Sequence, residues 1–178
     1  MRKRLFHGVL QAAVLASGLG AAGCMPKVNV HEAPEFEARA PTSFAWVTDE
    51  LILIQFGAPQ PAIRNEANEI LIREAVDREL AAKGYERTTA AEADLLLAFS
   101  VGVRVRYRME GADLANGPGE TQTKGTLNIY ALDRQAHKEV WHGNATRWLG
   151  KSEEPKDVVD RAVGRILETF PAAAPSSD

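Results

Sequence analysis

Cysteine occurs once in the 178 residues, at position 24, so no intrachain disulfide can form. Histidine is also scarce, with four copies. His7 sits in the first apolar run and His31 in a stretch bounded by prolines. His137 falls in a turn, and His142 follows it by an odd number of residues, which in one continuous strand sends the two rings to opposite faces. Converging metal ligands are therefore not expected, and no cofactor is implied. A G-x-S-x-G elbow is missing, and the glycines between 111 and 119 lack both the strand-to-helix context and the lysine of a phosphate loop. Ser100 reads as a filler of a wet strand face, and Asp94 and Asp133 as strand-flanking carboxylates that accept turn amides. With no catalytic constellation in view, the chain is not expected to be an enzyme; a hydrolase would need a triad assembled from distant residues.

An excess of positive charge is missing too. Net charge is −3, and residues 1–23 hold three of the 21 basic residues and no acid, leaving 18 basic against 24 acidic side chains, a formal −6. Such a domain has no overall attraction for nucleic acid. Nor is there a hydrophobic run long enough to span a membrane. Leu5 to Leu19 is interrupted by His7, Gln11 and small residues, and it follows the basic Arg2, Lys3 and Arg4. That is the layout of a secretory signal over residues 1–23. Ala21, Ala22 and Gly23 then lead directly to Cys24, which resembles a bacterial lipobox, with Ala21 where such motifs usually carry Leu. The resemblance implies cleavage before Cys24, acylation of its thiol and amine, and a membrane anchor. Met25, in place of Asp, leans toward the outer membrane, with the domain facing the periplasm.

What the chain does have is a long alternating stretch, Ala93 to Arg108. Leu95, Leu97, Phe99, Val101, Val103, Val105 and Tyr107 recur at every second residue, so they share one face of a strand, while Arg104, Arg106 and Arg108 end the other. Thr42 to Val47, Thr121 to Asp133 and Glu139 to Leu149 read as further strands, the last two forming an antiparallel meander with the long stretch. Ala62 to Lys83 reads as a helix burying Ile63, Ala67, Ile70, Leu71, Val76 and Leu80, with Gly84 as its left-handed stop. A last helix opens near Ser152 as cap and Pro155 in the first turn, buries Val159, Val163, Ile166 and Phe170, and stops at Pro171. Leu51 to Phe56 is apolar but too short to classify, and residues 48–60 receive no assignment. The expected fold is α+β: a two-layer sandwich, an antiparallel sheet of about four strands with two helices packed on one face. The expected organisation is a signal at 1–23, the lipidated Cys24 and a flexible tether over 24–40 in which a short strand at Val28 to Val30 is left open, one domain over 41–171, and a disordered tail at 172–178.

Five pieces of this chain carry a resemblance: PTSFAWV at 41–47, LAAKGY at 80–85, ADLLLAFSV at 93–101, GTLNIYALDRQAHKEVWHGNAT at 125–146, and the closing helix to Phe170 and Pro171. In this order, after a lipobox, they resemble the domain-of-unknown-function 4136 family of bacterial envelope lipoproteins. That resemblance implies a compact periplasmic α+β domain on a lipid anchor. It supplies no catalytic residue, cofactor or substrate.

If both helices cover one sheet face, the other displays Arg104, Arg106, Arg108, Lys124, Tyr130, His142, Asn144 and Trp148. Arginines among aromatics suit protein interfaces, here with an envelope protein partner, although a merely solvated face has the same composition. The expected function is an accessory or binding module of the envelope. The alternative is a lipid or small-molecule carrier using a cleft between sheet and helices.

Overall fold

The computed structural model describes residues 26–48, 63–107, 121–150 and 152–174. Cys24, the 51–56 run, Arg108 and the glycines between 111 and 119 lie outside them. Strands β4 (Leu95–Tyr107), β5 (Thr121–Asp133) and β6 (Lys138–Leu149) form the antiparallel meander that their alternation calls for. Leu95, Leu97, Leu127, Ile129, Ala131, Trp141 and Ala145 are all buried on its inner face.

The sheet is larger and of mixed direction, which corrects the expectation of about four antiparallel strands. Among the described residues six strands run in the order β1-β6-β5-β4-β2-β3. β1 (Lys27–Glu32) pairs antiparallel with β6, whereas β2 (Ser43–Trp46) pairs parallel with both β4 and the two-residue β3 (Glu86–Arg87). The parallel pairing follows from connectivity. Helix α2 (Glu66–Ala82) stands between β2 and the strands that follow, and such a crossover returns the chain in its original direction. Within the stretch expected as a tether, the short strand left open at Val28 to Val30 is part of β1. Residues 27–39 carry β1 and the short helix α1 (Glu35–Arg39), and Phe36 of that helix is only 1% exposed. At the other end, Ala173 donates its N–H to Lys83 O at 2.9 Å, so the expected tail begins docked to the domain.

Helices α2 and α3 (Pro155–Leu167) pack on the inner face. α3 buries Ala162, Val163, Ile166 and Leu167, a wide stripe at helical spacing. The stripe on α2 is displaced from the one expected. Ile72, Ala75, Val76 and Leu80 are buried, whereas Ala67 and Ile70 are exposed. Asn65 caps α2 by accepting from Asn68 N at 2.9 Å, and Pro155, preceded by Glu154, opens α3 in place of the expected Ser152 cap. Gly84 holds φ of 90°, the left-handed stop after α2.

Phe170 is the hub of the core. Its ring meets Phe36, Tyr85 and Trp141 edge-on, with centroids 5.3, 5.5 and 4.8 Å away. Burial, with the charge of Glu32, pushes the Tyr85 phenol up to about 12, so it stays neutral at physiological pH. A bulge in β6 supports this core. Trp141 faces Ala131, but Leu132 faces Glu139, so Val140 is skipped and both Val140 and Trp141 are buried. The Val140 carbonyl is not wasted, since it accepts from Ala33 N at 2.8 Å just beyond β1.

Asp94 ties the starts of β2 and β4 together. Its Oδ2 accepts from the amides of Thr42 and Ser43 at 2.9 and 3.1 Å and from their hydroxyls at 3.3 and 2.9 Å. Burial pushes this carboxyl up, and the four donors outweigh it, holding the pKa below the ordinary carboxylate value. A depressed folded-state pKa contributes stability that is present above the unfolded value of about 3.9 and is lost as pH falls through the folded value. Urea midpoints of the wild type and Asp94→Asn should therefore differ most near neutral pH and converge below about pH 4. A constant gap across that range would remove Asp94 from this role.

Candidate interaction surface

The outer sheet face is ruled into rows by the strand register. Row one holds Arg104, Lys124 and Trp148, with Arg106 and Gln122 just beyond. Row two holds Gly102, Thr126, Thr146 and Lys27, and row three Ser100, Asn128, Asn144 and Asn29. Row four holds Ala98, Tyr130, His142 and His31. Successive rows are two residues apart on each strand, which alternation requires of side chains sharing a face.

The middle rows are a hydrogen-bonded lattice. Asn29 Nδ2 donates to Asn144 Oδ1 at 3.1 Å, Asn128 Nδ2 donates to Ser100 Oγ at 3.1 Å, and the Thr126 and Thr146 hydroxyls meet at 3.0 Å. These groups spend their polarity on one another, and the Ser100 hydroxyl also meets that of Tyr130 at 3.4 Å. In row four the Tyr130 and His142 rings stack with centroids 4.4 Å apart and planes 19° from parallel. Row one differs. Trp148 is 38% exposed, and the cations of Lys124 and Arg106 stand 5.7 and 5.9 Å from its ring. Both distances suit a cation–π contact. Among the described residues Arg104, Arg106 and Lys124 have no carboxylate partner, and the first acid on this face is Glu139, beyond row four.

Six of the residues expected on the free face, Arg104, Arg106, Lys124, Tyr130, His142 and Trp148, do share it, together with Asn144; Arg108 lies outside the described residues. They form two groups rather than one. Lys124 and Tyr130 are six residues apart on β5, roughly 20 Å along the strand. Asp133 and Asp94 take the amide-accepting roles expected of them, Asp133 Oδ1 accepting from Ala136 N at 2.7 Å. Among the described residues no three His, Cys, Asp or Glu side chains gather as metal ligands, and no helix is long and apolar enough to cross a membrane.

One residue escaped the sequence reading. Arg147 alternates in phase with Trp141, Gly143 and Ala145, so it belongs to the inner face. Its side chain is only 9% exposed. An arginine on the core side of a strand was a readable signal, since buried arginines are rare unless paired.

The family model for a domain of unknown function, DUF4136, matches residues 27–172. The chain belongs to that family. The match begins at β1 and ends beyond α3, so the DUF4136 domain includes the stretch expected as a tether. No curated protein matches the chain. Among solved structures, a PelC dodecamer from Paraburkholderia phytofirmans is similar at 15% identity, covering 84% of this chain and 100% of that one, with a TM-score of 0.52. A PDZ domain protein from Parabacteroides distasonis is similar at 15% identity and a TM-score of 0.52, over 85% of this chain and 37% of that one. At such identity the likeness is one of fold alone.

Proposed function

We propose that this DUF4136 chain is a non-catalytic accessory module of the bacterial envelope, lipid-anchored through Cys24 to the outer membrane and facing the periplasm. It binds an envelope protein with an acidic surface through the open sheet face. The observation that carries this reading is the first row of that face, where Arg104, Arg106 and Lys124 gather about a half-exposed Trp148 with no described carboxylate among them. Arginine with an aromatic is the composition of interface centres, and the surrounding positive field steers an acidic partner.

In-cell crosslinking from the Arg104 face should capture that partner. The double variant Arg104→Glu, Arg106→Glu should lose it, while folding stability stays within about 0.5 kcal/mol because both side chains are exposed. Undiminished capture would remove this face from consideration. The anchor is tested separately. Palmitate labelling should mark the native chain and fail on Cys24→Ser, and equal labelling of the two would refute lipidation.

A further inference from the structure

A cleft of about 520 Å³ remains between the inner sheet face and the first turns of α2 and α3. That volume falls inside the range of small-molecule sites. Its walls include Ile72, Val101, Leu127, Leu149, Val158 and Val159, so most of its surface is hydrocarbon. Among its polar groups one is unusual. Arg147 lines the cleft and is nine-tenths buried. Its Nη2 donates to both Glu153 oxygens at 2.8 and 2.9 Å, and its Nε donates to Trp148 O at 3.2 Å. Nη1 is buried and has no acceptor among the described residues.

Glu153 also accepts from Gly150 N at 3.0 Å and from Arg161 Nη2 at 2.9 Å. Two guanidiniums thus share one carboxylate, and the cluster keeps a surplus positive charge. A buried donor without an acceptor is costly, and the cost is greater for a charged group. A purely apolar ligand would fill the walls and leave Nη1 unmet. A small polar ligand would meet Nη1 and waste the walls. The two requirements together describe an amphiphile. We propose that the cleft binds a single acyl chain ending in a carboxylate, the chain lying along the apolar walls and the carboxylate accepting from Arg147 Nη1 once a small turn of the guanidinium brings that nitrogen to the cleft.

Full-length protein in lipid nanodiscs, given a diazirine-bearing dodecanoic acid and illuminated, tests this. Adducts should fall within residues 63–72 and 158–162, and excess dodecanoic acid should compete them away whereas dodecanol should not. Arg147→Lys keeps a cation for Glu153 but removes the spare nitrogen, and should cut labelling about tenfold at limiting probe. Val158→Trp fills the cleft from a half-buried position and should abolish labelling. Adducts scattered over the exposed surface, equal competition by dodecanol, or equal labelling of all three proteins would overturn the proposal. None of these outcomes depends on Arg104 or Arg106, so the fate of the open face is read independently.

Discussion

Phe170→Ala is expected to cost about 3–5 kcal/mol, the range for removing a buried aromatic side chain. The position lies beyond the last helix, three residues past Leu167, where a substitution would ordinarily be harmless. Here the ring is 2% exposed and touches aromatics from three separate parts of the fold: Phe36 of α1, Tyr85 after α2 and Trp141 of β6. Its loss opens a cavity that none of the three can fill without leaving the other packing they make. Edge-to-face aromatic contacts add to the area term, so the upper half of the range is expected. Chemical denaturation is the measurement. A midpoint shift worth less than about 1 kcal/mol would mean that the rings close over the gap.

Gly143→Val should cost about 3 kcal/mol, for the opposite reason. A Cβ at this position would lie 2.4 Å from Trp141 Cη2 and 2.6 Å from Ile166 Cγ2. Both neighbours are fully buried, so neither can swing into solvent. The backbone of β6 and helix α3 must separate, and overpacking of this kind is among the costlier core changes. The glycine therefore sets how closely α3 approaches the sheet. Gly143→Ala should already show most of the loss, because the clash is with the first carbon. Near-wild-type stability of the alanine variant would show that α3 shifts freely.

Much of this architecture is legible from alternation. In β4 the period of two runs unbroken through the sequence, and it places buried Leu95 and Leu97 on one face and exposed Ser100, Arg104 and Arg106 on the other. β6 is legible over Trp141 to Trp148, where His142, Asn144 and Trp148 share the outer face as the pattern requires. The pattern fails at Val140, because a bulge turns two successive residues inward, and no composition rule marks that residue. β1 was only partly legible, as the short strand left open at Val28 to Val30. KVNVHE lies at a sheet edge with only Val28 and Glu32 partly covered, so its alternation is faint and its prolines at 26 and 34 suggest a linker. The parallel pairs were hidden by length, since β3 has two residues and β2 four. On α2 the apolar residues are too many for one stripe, and tertiary packing chose Ile72 and Ala75 over Ile70. The basic end of the open face was readable. Arg147 was readable by phase but not by role, because a cleft exists only after both helices are docked.

One consequence of β1 concerns reach. Only Met25 and Pro26 stand between Cys24 and the first paired residue, Lys27, so three chain steps cover at most about 11 Å. A lipid on Cys24 would therefore leave the domain without a leash. Lys27 faces Thr146, one strand step from Arg147 and Trp148, so an anchor on Cys24 would lie closest to the corner of the sheet that bears Arg104 and Lys124. A bilayer holding that cysteine would sit beside this corner, with Tyr130 and His142 at the far pole. A protein that docks on the near corner must then itself come down to the headgroups, whereas one in open periplasm would meet only the far pole.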